Sequence, residues 1–224
     1  MRFKCSELIG LIALCLFGSP VEATVYVGPV FRDHMVIQHG KPVEVWGSAN
    51  PGEKVTVSFA GQNLVAETNA KGRWRISLAP LAIDRKGKEM IVRGPDNTVT
   101  YRDILVGDVW LCSGQSNMEM SFEWGVLEGE RFIRASANPL IRHMKVRKRK
   151  SNVPEESVYI DQEWQVCSPQ TLPGLSATAY FFALELSKHI DIPIGLIDDS
   201  WSGCRIEPFF NPAGLAGEPG LAYI

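Results

Sequence analysis

A mixed β and α/β architecture is predicted by three features of this 224-residue sequence. Short β-type runs recur through the first half, longer apolar runs appear after Val106, and the second half reads strand, helix, strand. The composition agrees. With 45% hydrophobic and 21% charged residues the chain lies in the globular range, and its 20 glycines and 14 prolines suit many short strands joined by turns. Lys+Arg 23 against Asp+Glu 25 gives a formal net charge of -2 and no global field to hold a polyanion, so no nucleic-acid partner is expected.

The first residues read as an address. Arg2 and Lys4 precede the apolar run Leu8 to Phe17, Gly18 and Pro20 break it, and Val21-Glu22-Ala23 presents the residues a signal peptidase reads. Residues 1–23 are therefore expected to be a signal peptide cleaved after Ala23, leaving a soluble secreted or periplasmic protein with no membrane contact. The run is shorter than the ~20 residues of a membrane span. A lipoprotein reading of Cys15 is disfavoured by the bulky Leu14 before it. Cleavage removes Cys5 and Cys15 and leaves Cys112, Cys167 and Cys204, which in an oxidising compartment supply one disulfide of undetermined pairing and a spare thiol, or else are simply buried. Their wide spacing disfavours a metal site.

Residues 24–106 are expected to form a β-sandwich domain. The runs Val25-Val27, Met35-Gln38, Val43-Trp46, Val55-Phe59, Leu64-Thr68, Trp74-Leu78, Met90-Arg93 and Val99-Tyr101 are spaced by roughly 8–12 residues, as sandwich strands are. In Val55-Thr56-Val57-Ser58-Phe59 and Trp74-Arg75-Ile76-Ser77-Leu78 the apolar residues share one face. Asn50-Pro51-Gly52, Ala60-Gly61, Lys71-Gly72 and Gly94-Pro95-Asp96-Asn97 supply the turns.

From residue 107 an α/β domain with a parallel sheet is expected. Val109-Trp110-Leu111-Cys112 reads as a strand buried on both faces, leading through a Ser-Gly turn into a helix near Asn117 to Leu127. Ile141 to Val146 reads as a further strand. Ser176 caps a helix carrying Ala177, Tyr180, Phe181 and Leu184 on one face, which Asp191-Ile192-Pro193 ends. Ile194 to Ile197 is the next strand, followed by the loop Ser200 to Gly203.

The chemistry concentrates in Gly107-Asp108-Val109-Trp110-Leu111-Cys112-Ser113-Gly114-Gln115-Ser116-Asn117-Met118. A buried strand delivers Ser116 to a tight turn at a helix start, where its N–H can face the oxyanion of an ester under attack. The G-x-S-x-G elbow does not fit, because Met118 stands at its second glycine. The Gly114-Gln115-Ser116-Asn117 block after its strand resembles the first block of the SGNH-type hydrolases, in the branch of sialate O-acetylesterases and related carbohydrate acetylesterases. The resemblance continues through Asp33 to Gln38, Trp164 to Pro169, the helix near Ser176 and Ile194 to Gly203.

That resemblance implies a β-sandwich followed by an SGNH-hydrolase-like three-layer α/β domain. It implies hydrolysis of O-acetyl sugar esters by a serine nucleophile, carried here onto Ser116, with a histidine base and its acid and with no metal or organic cofactor. The family's glycine pair after a tryptophan, an oxyanion or active-site wall, maps to Ser202 and Gly203. Ser202 is a departure, which leaves the wall to the Gly203 backbone. Trp201 is the expected sugar contact, and Asp198 and Asp199 are expected to disfavour anionic substrates. The family's W-x-Q-G-E and D-x-x-H segments do not occur in residues 1–224. An N-terminal fragment with an incomplete esterase domain, residues 107–224, is therefore expected. Alone it should hydrolyse little and leave an unpaired apolar sheet edge.

The ordinary readings stand beside these. None of His34, His39, His143 and His189 shows an acid in sequence to orient it as a base for Ser116. Six of the nine residues from Arg142 to Lys150 are Lys or Arg, read as a solvated strand edge in preference to an anion site. The rival to the esterase is a non-catalytic secreted glycan-binding sandwich with a degenerate hydrolase remnant. Oligomeric state is not legible.

Overall fold

Alternation of apolar and polar residues builds the first strands. They are β1 (Tyr26–Val27), β2 (Val36–Gln38), β3 (Val43–Ser48), β4 (Lys54–Phe59), β5 (Gln62–Glu67), β6 (Arg73–Leu78), β7 (Asp84–Arg93) and β8 (Thr98–Gly114) in a computed structural model of the protein. That structure describes residues 25–153, 155–205, 207–209, 218 and 220. The expected signal peptide, residues 1–23, lies outside the described residues. β1, β3 and β6 make a three-stranded antiparallel sheet. β5, β4, β7 and the first part of β8 make antiparallel ladders of a larger sheet, with β2 added parallel to β8. Val55, Val57 and Phe59 on β4 and Trp74, Ile76 and Leu78 on β6 are buried at every second residue, and both sheets share one core with Val45, Met90 and Ile104.

The second half adds helices α1 (Ser116–Glu119), α2 (Gly129–Arg134) and α3 (Ala177–Leu186) and strands β9 (Asn138–Val146), β10 (Ile160–Cys167) and β11 (Ile194–Ser200). β11 lies between β8 and β9 and is parallel to both, as the strand, helix, strand order predicts. The larger sheet runs β10-β9-β11-β8-β7-β4-β5 without interruption. β8 is the strand that makes this possible. It pairs with β7 as far as Val106 and then, from Asp108 to Gly114, with β11. The change of texture at Val106 therefore falls inside one continuous strand. The architecture is mixed and sheet-rich with few helices.

Several expectations need correction. The helix over Asn117 to Leu127 is instead the single turn α1 and a 3₁₀ turn, Phe122–Trp124. The start of α3 takes the carbonyls that would have continued it. Thr178 Oγ1 donates to the Asn117 carbonyl at 2.7 Å, Ser176 Oγ to that of Met118, and the Ala177 N–H to that of Met120 at 2.8 Å. Val109 to Cys112 is not buried on both faces: Trp110 is 42% and Leu111 67% exposed. Cys112 packs into the second core under α3, whose cover ends at Trp110, where the ring meets Phe182 edge-on.

α3 stops at Leu186, with Ser187 as its C-cap, short of Asp191-Ile192-Pro193. Its start is as expected, with Ser176 Oγ accepting the Ala179 N–H at 3.1 Å. Cys112, Cys167 and Cys204 are all free, so the disulfide is not formed. The basic tract is not a sheet edge, because β9 lies between β10 and β11, although Arg147 to Lys150, beyond the end of β9, are exposed as expected. Arg142 is buried and donates to Asp103 at 2.7 Å and to the Pro139 carbonyl at 2.9 Å.

Candidate active site

Ser116 stands where two parallel strands end. β8 and β11 run in register to Ser200 opposite Gly114, and the chain then turns at both ends. Gly114 adopts φ +143°, a conformation that L side chains rarely take, so the turn into Ser116 requires glycine there. The Trp201 N–H donates to the Gly114 carbonyl at 2.8 Å, which binds the turn after β11 to the turn after β8. Ser116 Oγ and Ser202 Oγ are then 2.9 Å apart, at hydrogen-bond distance, with either able to donate. Both residues are half-buried. Crevices at the carboxyl ends of parallel strands are where open α/β sheets hold their ligands.

A buried carboxylate stands behind this pair. Glu119, three residues after Ser116, is 6% exposed. It accepts the Ser202 backbone N–H through Oε2 and the Lys148 ammonium through Oε1. Burial raises its pKa, but Lys148 and the Ser202 amide outweigh that, and it lies below the ordinary glutamate value. The two neighbouring aspartates differ from Glu119. Asp198 is 1% exposed, accepts the Ser200 N–H at 3.0 Å and faces Lys145 Nζ at 3.9 Å, and burial raises its pKa. Burial raises that of Asp199 too, with help from Asp198. Asp199, Trp201, Tyr159 and Arg149 line a groove of about 210 Å³. Ser116 is not among its lining residues, although Trp201 is common to both.

Of the residues singled out in sequence, Ser116 and Trp201 are brought to one place. Gly203 follows at φ +76° with open space where a side chain would point. Lys150 Nζ lies 5.9 Å from the Trp201 ring centroid. The helix following Ser116 is a single turn and supplies little of the dipole expected of it. The histidines need correction as well, since three have a carboxylate partner. His34 Nδ1 lies 2.8 Å from Asp103, His39 Nε2 3.1 Å from Asp108 and His189 Nε2 3.2 Å from Glu185. His143 is buried. The hydrogen-bond partner described for the Ser116 hydroxyl is Ser202.

Sequence reasoning missed Glu119, Lys148 and the Ser202 side chain. The available signals were a carboxylate one helical turn after the candidate nucleophile and a hydroxyl where the resembling family has glycine. β10 was also missed as a strand. Its Trp164 is 5% exposed and donates Nε1–H to the Val30 carbonyl at 2.8 Å, joining the second half of the chain to the first core.

Sheet order and site geometry together define a serine at the carboxyl ends of parallel strands. A solved structure with this fold is a carbohydrate acetylesterase from Xanthomonas citri, which superposes with a TM-score of 0.80 at 31% identity over 86% of this chain and 44% of its own. The fold thus resembles that of a carbohydrate acetylesterase. Sialate O-acetylesterase from Homo sapiens is 30% identical over 186 residues, 76% of this chain and 36% of its own length. The same enzyme from Mus musculus is 29% identical over 191 residues, 78% of this chain and 35% of its own. The chain belongs to the sialate O-acetylesterase family. It spans little more than a third of the length of these curated relatives. No family model matches.

Proposed function

We propose that this chain is the nucleophile-bearing part of a carbohydrate O-acetylesterase of the sialate O-acetylesterase type, acting on O-acetylated sugars. In this reading the sheets sharing the first core are the family's β-sandwich, and the strands from Asp108 onward begin an SGNH-like domain. Ser116 is the nucleophile, the Gly203 backbone forms part of the wall that faces the oxyanion, and Trp201 contacts the sugar. The reading also places the protein outside the cytoplasm through its leader. The observation that carries it is the half-buried Ser116 hydroxyl at the carboxyl end of β8, strapped to the Trp201 turn at the end of β11. Acyl transfer from an acetyl ester to Ser116 Oγ forms one ester bond as it breaks another, and the serine proton must pass to a base.

The test is covalent labelling of the full chain with an alkyl fluorophosphonate, in which a phosphorus–oxygen bond forms, fluoride leaves and the serine proton passes to solvent. Mass spectrometry of the digest is expected to place the adduct on Ser116, and Ser116→Ala is expected to abolish it. Release of acetate from 4-nitrophenyl acetate should stand only slightly above the Ser116→Ala level, because the partner described for the Ser116 hydroxyl is another hydroxyl and not a base. Losing triad partners elsewhere leaves a residual ~10³–10⁴-fold over water. Labelling confined to other residues would sink Ser116 as the nucleophile.

One observation favours the rival, a glycan-binding module without catalysis. The Ser116 hydroxyl is held by a second hydroxyl, which orients it but does not activate it. Sugar binding unchanged in Ser116→Ala, together with an unlabelled Ser116, would select that reading.

A further inference from the structure

Glu119 occupies a costly position. A carboxylate 6% exposed loses several kcal/mol of hydration unless partners replace the water, and two donors do so: the Lys148 ammonium and the Ser202 amide. A residue chosen only to fill space at the end of a one-turn helix would be apolar. The carboxylate instead reaches across to another strand's turn. That turn has few anchors. Trp201 N–H is held by Gly114, Cys204 N–H reaches the Trp201 carbonyl at 3.2 Å, and Gly203 bends the chain at φ +76°. Between these points the Ser202 amide is fixed by Glu119, and the Ser202 hydroxyl lies 2.9 Å from that of Ser116.

We propose that Glu119 is a positioning residue: by gripping the Ser202 backbone amide, with Lys148 holding its other oxygen, it sets the Ser202 hydroxyl against Ser116 and fixes the direction of the Ser116 hydroxyl. The functional part of this inference rests on Ser116 being the nucleophile. A serine hydroxyl is too weak a base to take the Ser116 proton near neutral pH, so Ser202 orients and does not activate. Lys148 comes from just beyond β9, within the basic tract, so that tract contributes the cation that balances this carboxylate.

The inference predicts coupling. In the full chain, Glu119→Ala and Ser202→Gly are each expected to slow fluorophosphonate labelling of Ser116 by about tenfold or more, since small misplacements of reacting groups cost up to ~100-fold. In the double variant the two losses should not multiply, because Glu119 acts through the Ser202 hydroxyl. Glu119→Gln keeps an acceptor oxygen for the amide and should restore labelling to within about threefold of wild type, a rescue that the cost of burying a charge does not predict. A second readout needs no reaction. The Ser202 amide proton in the ¹⁵N spectrum should move upfield and exchange faster in Glu119→Ala, while in Glu119→Gln it should stay near its wild-type position.

Multiplying losses in the double variant, or a Ser202 amide that ignores Glu119→Ala, would overturn the proposal. If Glu119→Ala does not fold, Glu119→Gln and Ser202→Gly decide it: labelling in Glu119→Gln as slow as in Ser202→Gly overturns it. A wild-type chain that stays unlabelled while its Ser202 amide responds to Glu119→Ala brings down the nucleophile reading and leaves the grip of Glu119 on Ser202 supported.

Discussion

Gly107→Ala is expected to cost about 3 kcal/mol or more of stability, enough that much of the protein will be recovered insoluble. A Cβ built on Gly107 falls 2.1 Å from the Pro193 carbonyl oxygen and 2.7 Å from its carbon. These are backbone atoms, so no rotamer change relieves the clash. The Pro193 carbonyl is also engaged, accepting the Asp108 N–H at 2.9 Å. That bond begins the parallel pairing of Asp108 to Gly114 with Ile194 to Ser200. On the other side the Gly107 carbonyl accepts the His39 N–H at 2.8 Å, beside the pairing of β2 with β8. A methyl group therefore pushes apart the strands at the point where β8 passes from one set of neighbours to the other. The check is the midpoint of urea unfolding, with Gly52→Ala as comparison. Gly52 has open space around it and φ +81°, so its substitution should cost only about 1 kcal/mol. A Gly107→Ala protein that unfolds within about 0.5 kcal/mol of wild type would mean that Pro193 does not approach this strand so closely.

The same stretch shows what a sequence can and cannot disclose. The strands of the first core were legible because each buries every second residue, and side-chain alternation is a local property. The parallel placement of β11 was legible from its apolar run following a capped helix. The continuity of β8 was not. Thr98 to Gly114 carries one backbone through two different neighbourhoods, and its residues change character where the neighbours change, which reads along the chain as a boundary. The helix after Ser116 was overextended because nothing local reveals that Ser176, Ala177 and Thr178, some sixty positions later, claim its carbonyls. The candidate site divides in the same way. Ser116, Trp201 and Gly203 were singled out by their motifs, and the structure brings the turns that carry them together. The chain of contacts from Lys148 through Glu119 to Ser202 joins three segments, and no spacing rule connects them. The basic tract looked like a solvated edge because charge alone does not show that Arg142 is 4% exposed with Asp103 beside it, or that Lys145 faces Asp198.

Acid is expected to destabilise this fold as the pH falls from 6.5 towards 4, and His143 is the reason. It is 1% exposed on β9, opposite Leu196 of β11 and Gln165 of β10, and its Nε2 is buried without a hydrogen-bond partner. Burial pushes its pKa down from 6.5 to about 4. The unfolded chain then binds a proton near pH 6.5 that the folded chain refuses until about pH 4, so stability present above 6.5 is lost progressively as the pH falls through that window. At 1.36 kcal/mol per pKa unit the loss attributable to this residue is about 3 kcal/mol. Asp198 and Asp199 oppose it. Their raised values mean that the folded state binds protons more readily than the unfolded one, so their contribution grows as the pH falls. Glu119 and Asp103, held low by Lys148 and Arg142 respectively, lose their contributions only further into acid. His143→Leu separates these terms. It replaces a buried ring whose Nε2 has no hydrogen-bond partner with an apolar side chain of similar size, which should leave neutral-pH stability unchanged or improved and should remove most of the slope between pH 6.5 and 4.5. Urea midpoints measured at half-unit steps across that range provide the test. A variant that loses stability in acid as steeply as wild type would place the proton elsewhere and leave the buried imidazole without a part in acid sensitivity.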